Sequence, residues 1–286
     1  MLHAAQVRRR CWHDDPPGAG EDRTVTIDWI NPVAGFAVGA LVGVTGVGGG
    51  SLMTPILVLL FGMAPAAAVG TDLWFAALTK VVGGAMHHRR GGVDWQVVRR
   101  LALGSLPAAA ATLWWLQLSG GGQGRSGTLV ATLGGVLIAT ALAMLWKARV
   151  QGLGRAQRLG SPTSFKRMQP VATVAAGALL GVLVTLTSVG AGALGTVLLV
   201  YLYPLRMTPA RLVGTDIVHA IPLTVVAGLG HLWLGNVDLA LLGQLLLGSV
   251  PGIVLGSLLG ARAPERVLRA AIAVVLAAVG TKLLVA

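Results

Sequence analysis

The chain has 286 residues, 55% of them hydrophobic and 11% charged, with a mean hydropathy of +0.77. Soluble domains carry roughly 25% charged residues, so this is a membrane protein with no stretch polar enough for a soluble domain of ordinary size. The single cysteine, Cys11, excludes a disulfide framework, a CxxC redox pair and a multi-cysteine zinc site. The net charge of +12 lies mostly in short connecting loops, the pattern the positive-inside rule produces in an inner-membrane protein, and no nucleic-acid partner is expected.

In chain order, residues 1–30 mix Arg8, Arg9 and Arg10 with Asp14, Asp15, Glu21 and Asp22 around Pro16, Pro17 and Gly18, without the apolar core of a secretory signal. This predicts a disordered tail. A first membrane repeat is predicted over 31–147. It opens with an apolar block broken by glycine at Gly46 to Gly50 and continues in spans at about 65–86, 97–118 and 128–147. Residues 148–169 carry Arg149, Arg155, Arg158, Lys166 and Arg167 with no acid, which reads as a cytoplasmic linker. The second repeat, 170–286, has its break around Ser188, Gly190 and Gly192 and spans at about 209–230, 239–260 and 265–285. The expected fold class is an all-α polytopic membrane protein with two sequence repeats and eight apolar blocks.

A shift of 144 positions carries Gly46 and Gly48 onto Gly190 and Gly192, and Met63 and Pro65 onto Met207 and Pro209. It also carries Val69–Asp72 onto Val213–Asp216, His87 onto His231, Asp94 onto Asp238, and Gly104, Ser105 and Pro107 onto Gly248, Ser249 and Pro251. Roughly a third of positions 43–107 are identical, which is better explained by duplication than by shared apolar composition. The segments flanking Gly46 to Gly50 are about 12 or 13 residues, roughly 20 Å of helix against a bilayer core of about 30 Å. Such a pair makes either one broken crossing or a re-entrant hairpin. Loop charges favour the hairpin. Arg89, Arg90, Arg99 and Arg100 share a side with the linker, and Arg206, Arg211, Arg262, Arg266 and Arg269 join them only if the second half is upside down. That inversion requires an odd number of crossings per repeat; eight full spans would leave those five arginines outside.

The run from Gly43 to Ser51 resembles a phosphate-binding turn, but it lacks the Walker lysine and follows an apolar helix where a nucleotide fold has a strand. Its glycines supply unwound backbone at membrane depth, with free N–H groups at the start of the next half-helix. Gly48, Gly49, Gly50 and Ser51, with Gly190 and Gly192, are therefore candidate anion-binding positions, and Thr71 and Thr215 are grouped with them. The spacing of Gly35, Gly39 and Gly43, and of Gly252, Gly256 and Gly260, fits close helix packing instead. Asp72 and Asp216 are intramembrane acids. Each either couples a proton and positions the site, or locks its repeat by accepting hydrogen bonds from a half-helix N-terminus. Lys80 aligns with Thr224 and so breaks the symmetry; it contacts a substrate anion, pairs with an aspartate, or snorkels to the headgroups. His87 and His231 fall at matching span ends, as interfacial or proton-relay groups, and His219 lies deeper. Adjacent His87 and His88 point apart on a helix, so no metal site is assigned. Trp74, Trp95, Trp114, Trp115, Trp146 and Trp233 read mostly as membrane-boundary residues.

Together, the run GVGGGSLMTPILVLLFG from Gly46, the VGTD of Val69–Asp72, the HHRRGGVDW of His87–Trp95 and the second VGTD after a basic linker resemble the sulfite exporter TauE/SafE family of bacterial membrane permeases. The resemblance runs from about Asn31 onward and is looser in the second half, where Ala193 and Leu194 replace Gly49 and Gly50. It implies an inner-membrane secondary transporter, without enzymatic activity or cofactor, for a small anion such as sulfite, an organosulfonate or a related oxyanion. The anion would sit where the two hairpin tips meet, with a proton as the candidate coupling ion; the oligomeric state is left open. Two alternatives stand beside it. One is metal-cation transport through His87, His88 and His231. The other is an intramembrane aspartyl protease using Asp72 and Asp216, although Thr71 stands where the GxGD motif has its second glycine.

Overall fold

The computed structural model describes residues 29–45, 50–59, 61–88, 92–120, 126–160, 162–260 and 265–285. These form the helices α1 (Ile30–Thr45), α2 (Gly50–Leu59), α3 (Pro65–His88), α4 (Trp95–Leu118), α5 (Ser126–Gly160), α6 (Pro162–Thr187), α7 (Ala193–Leu202), α8 (Pro209–Trp233), α9 (Leu239–Gly260) and α10 (Glu265–Val285). Among the described residues, α4, α6, α8 and the Val130–Gly160 and Leu239–Gly256 parts of α5 and α9 are long and apolar enough to cross a bilayer. At 24 residues, α3 is roughly 36 Å long, and it carries Asp72 and Lys80. The chain is an all-helical, polytopic membrane protein.

The basic linker is itself helical. α5 runs on to Gly160, and α6 starts at Pro162. The sequence accounts for both: Arg, Gln, Leu, Lys and Ala are good helix formers, and proline is tolerated in a first helical turn. The block before the second break is consequently one 26-residue helix, whereas α2 and α7 have 10 residues each, too short to span.

Side-chain and backbone contacts fix the helix directions. The Trp74 indole N–H donates to the Gly228 carbonyl at 3.0 Å, and Gly70 lies against His231, so α3 and α8 run antiparallel. The short turn 234–238 reverses the chain, which leaves α9 parallel to α3. α1 follows α9 in the same direction, Gly35 against Leu245 and Gly39 against Ser249, with Gly248, Gly252 and Gly256 answering Pro32, Phe36 and Ala40. A Cβ at any of these glycines would collide with the partner's backbone, which is why the seam is built from glycine. Since α1 and α3 point the same way, α2 returns between them. The second half repeats the arrangement. α4 runs parallel to α6 (Leu101 on Gly177, Ser105 on Gly181) and to α8 (Ser105 beside His219, Leu113 on Gly230), so α7 returns between α6 and α8.

Under the 144-residue shift, the α1–α9 pairing becomes the α6–α4 pairing. Each half thus lends its first helix to the other half's fourth. The equivalent helices α5 and α10 also meet antiparallel, Gly134 against Gly280 and Leu284, and Gly280 against Ile138. A buried cluster of Val69, Leu73, Val184, Ala191, Ala220 and Leu223 sits where α3, α6, α8 and the second break converge.

Candidate functional site

The two VGTD runs spend successive residues on different neighbours. Gly70 lets the Asn236 carbonyl approach closely, and Gly214 does the same for Gly92. One position on, the Thr71 hydroxyl accepts the Asp238 N–H at 3.0 Å and the Thr215 hydroxyl accepts the Asp94 N–H at 2.9 Å. Each threonine therefore ties its repeat to the turn entering the other repeat's fourth helix. The grouping of Thr71 and Thr215 with the anion-binding positions does not match this placement: both hydroxyls serve the junction between repeats.

A further 100° around the helix, the aspartates face the hairpins. Asp72 is fully buried, and its Oδ2 accepts the Thr54 hydroxyl at 2.5 Å and the Thr54 N–H at 3.1 Å. The Ser188 hydroxyl, from the second break, approaches the same carboxyl group. The Asp216 carboxylate lies at the N-terminus of α7, beside the Gly192 N–H, and presses on Gly195, where a Cβ would have no room. Gly192 caps α7 without a side-chain hydrogen bond of its own, so the Asp216 carboxylate supplies the negative charge that the helix start favours. The backbone here is left-handed at alternate positions, with φ of 57° at Ser188, 120° at Gly190 and 122° at Gly192. Glycine makes the last two cheap, and the residue-level reading of this break as unwound backbone matches the geometry.

Lys80 comes from α3 and reaches across to the second break. It is buried, and its ammonium donates to the Ala191 carbonyl at 3.2 Å. Asp216 and Asp72 both attract it electrostatically, and an ion pair lies elsewhere, between Arg206 and Asp94. Its side chain is thus turned inward, toward the carbonyl freed by the break. His219, one helical turn beyond Asp216, also feels the Lys80 charge and shares a 2.9 Å hydrogen bond with Ser105.

Several other expectations are altered. His231 stands near the end of α8 and is buried in the protein: its Nε2–H donates to the Thr185 carbonyl at 2.9 Å, and its Nδ1 has no partner among the described residues. Trp74 lies in the α3–α8 contact and not at a boundary, whereas Trp95, Trp114, Trp115, Trp146 and Trp233 are exposed on the outer surface. Gly48 and Gly49 lie outside the described residues. Gly50 opens α2, and the side chains of Ser51 and His87 fall outside the described set as well. Thr54, Ser105 and Ala191 are site residues that sequence reasoning does not single out. Ser105 has a signal in its match with Ser249; Thr54 and Ala191 have none. Among the described residues no three His, Cys, Asp or Glu side chains group as metal ligands.

Comparisons with known proteins show the family. Residues 32–283 match the family model described as sulfite exporter TauE/SafE. The chain is 38% identical over 209 residues to the probable membrane transporter protein YjnA of Bacillus subtilis, covering 72% of this chain and 80% of that one. It is 28% identical over 206 residues to the probable membrane transporter protein YdhB of the same organism, covering 72% and 79%. A third Bacillus subtilis relative, the probable membrane transporter protein YunE, is 37% identical over 97 residues, 34% of each chain. No solved structure matches. With the match extending over both halves and both hairpins, the chain belongs to the sulfite exporter TauE/SafE family.

Proposed function

We propose that this membrane transporter moves a small anion, of the class of sulfite, an organosulfonate or a related oxyanion, by alternating access between two inverted halves. It does so in the bacterial inner membrane, coupled to an ion, and without transforming its cargo chemically. One observation carries the reading. The ammonium of Lys80, which has no counterpart in the other half, is drawn to the second break, where α7 begins and Asp72 and Asp216 converge. Half-helix N-termini bind anionic groups in transporters built from broken helices, and a buried cation beside one adds to the attraction.

The aspartates fit a coupling role. Asp216 already occupies the start of α7, so an incoming anion competes with it, and two carboxylates beside an anion repel it. At least one of them carries a proton when the anion is bound, which links anion movement to proton movement. The helix directions support inversion: α3 opposes its equivalent α8, and α1 and α3 are parallel, as a re-entrant hairpin requires. In that topology the start of α4 with Arg99 and Arg100, and the α7–α8 region with Arg206 and Arg211, share one face with the 148–169 linker, the cytoplasmic face by the positive-inside rule.

The test is flux of labelled sulfite in proteoliposomes with and without a pH gradient, with unlabelled sulfate, methanesulfonate and divalent metal ions as competitors. Gradient-dependent flux, blocked by small oxyanions and indifferent to metals, is expected. No flux of any oxyanion, or competition by metals, would contradict the proposal.

A further inference from the structure

Buried polar side chains pair in folded proteins, and one left without a partner marks a place for water or an ion. Among the described residues, five buried side-chain atoms have no hydrogen-bond partner. One of them, Asp94 Oδ2, meets Arg206 Nε at 2.6 Å in an ion pair. The other four are Asp72 Oδ1, Thr185 Oγ1, Ser188 Oγ and His231 Nδ1, and they collect at the last turn of α6, the second break and the helices touching them. Ser188 approaches the Asp72 carboxyl group of α3, and the Thr185 carbonyl accepts from His231 of α8. None of these four residues is more than 3% exposed.

The 144-residue shift shows that this polar place is built once and not twice. Asp72 has the Thr54 hydroxyl on its Oδ2 and Ser188 beside it, with Thr185 one turn before Ser188 on α6. The positions equivalent to Thr54, Thr185 and Ser188 hold Leu198, Leu41 and Val44, so the repeat-mate Asp216 has no such set of hydroxyls. Lys80 serves the other side of the break, where its ammonium bonds the Ala191 carbonyl next to Gly192 and the start of α7. The break therefore has two ends of opposite character. The N–H groups that open α7 favour negative charge, and the carbonyls that end α6 favour positive charge.

We propose that Asp72 Oδ1 and the hydroxyls of Ser188 and Thr185, at the carbonyl end of α6, form a binding site for one sodium ion. The donors are all oxygen, which suits a hard cation, and a single carboxylate matches one charge better than two. Half-helix C-terminal ends and unwound carbonyls hold sodium in transporters built from inverted halves. His231 Nδ1 is an acceptor, because Nε2–H is committed to the Thr185 carbonyl; it is left to a water and is not among the ligands. When ionised, Asp72, Asp216 and Lys80 together carry one negative charge, and sodium cancels it. Sodium on Asp72 thus takes the place of a proton there and relieves the repulsion felt by an anion at the start of α7. This names a coupling ion for the transporter reading above, and it rests on that reading for its consequence but not for the site itself.

The test is binding of radiolabelled sodium to the full chain, purified in detergent with choline as the background cation and no oxyanion present. Wild type is expected to bind one sodium ion per chain, displaced by unlabelled sodium and not by the same concentration of potassium. Ser188→Gly removes the hydroxyl at a φ of 57°, which glycine adopts without strain. It should weaken binding about tenfold, the size expected for losing one polar contact with a charged group. Asp72→Asn should abolish binding; asparagine is neutral without sodium, so it still admits the anion. Thermal melting in choline chloride checks that the variants are folded, and Ser188→Gly keeps the test decisive should Asp72→Asn not fold. Absence of saturable sodium binding in wild type, equal displacement by potassium, or full-strength binding in folded Ser188→Gly overturns the proposal. With no anion in the assay, such a result leaves the anion reading standing, and a failure of sulfite flux would leave the sodium site standing.

Discussion

At the scale of single residues, three charges in apolar helices mark the candidate site, and all three are legible in the sequence because an ionisable side chain in a spanning segment stands out against its surroundings. What each charge touches is not legible. Lys80 finds Ala191, and Asp72 finds Thr54 and Ser188, only because two hairpins fold back to meet α3, and nothing in the spacing of those residues announces it. Thr71 and Thr215 depart from their expected role for the same reason: the N–H groups they accept lie in the turn of the opposite repeat. Asparagine at position 72 keeps an oxygen for both Thr54 bonds and removes the proton. Asp72→Asn is therefore expected to retain transport within a few fold at one pH while flattening its pH dependence, measured as flux between pH 5.5 and 8.5. Wild-type pH dependence in that variant would remove Asp72 from coupling.

At the scale of elements, helix positions follow from apolar block lengths, and the glycine spacings at Gly35 and Gly39 and at Gly252 and Gly256 are recognisable as packing motifs. Their partners are not, because the two motifs face each other across the molecule rather than along neighbouring segments. The seam lets α1 lie backbone to backbone with α9, and a branched side chain there has no space to enter. Gly252→Val should cost about 2 kcal/mol or more, the size typical of overpacking a close contact. Gly135 is the control, since a methyl group there would meet nothing within 4 Å: Gly135→Ala should change stability by no more than about 0.5 kcal/mol. Thermal melting in detergent separates the two, and equal melting points would show that the seam is not close-packed. The linker at 148–169 illustrates a different gap, since its run of like charge marks a connection on one side of the membrane while its residues are good helix formers that extend α5 and begin α6.

At the scale of the whole molecule, the duplication and the clustering of arginines in particular loops are readable without the fold, because both are properties of the linear chain. The exchange of first helices between halves is not, since it depends on which surfaces meet. The directions of α3, α8 and α9 place the turn 234–238 and the start of α4 on opposite faces. In a Cys11→Ser background, Gln96→Cys should therefore be labelled by impermeant maleimide only from the cytoplasm, and Leu239→Cys only from outside. Labelling of both from one side would refute the inverted arrangement. The most direct measurement of the central claim, that Lys80 makes the anion site, is sulfite flux in liposomes holding equal amounts of folded wild-type and Lys80→Met protein. Robust flux is predicted for wild type and background flux for Lys80→Met; undiminished flux in the variant would contradict the claim.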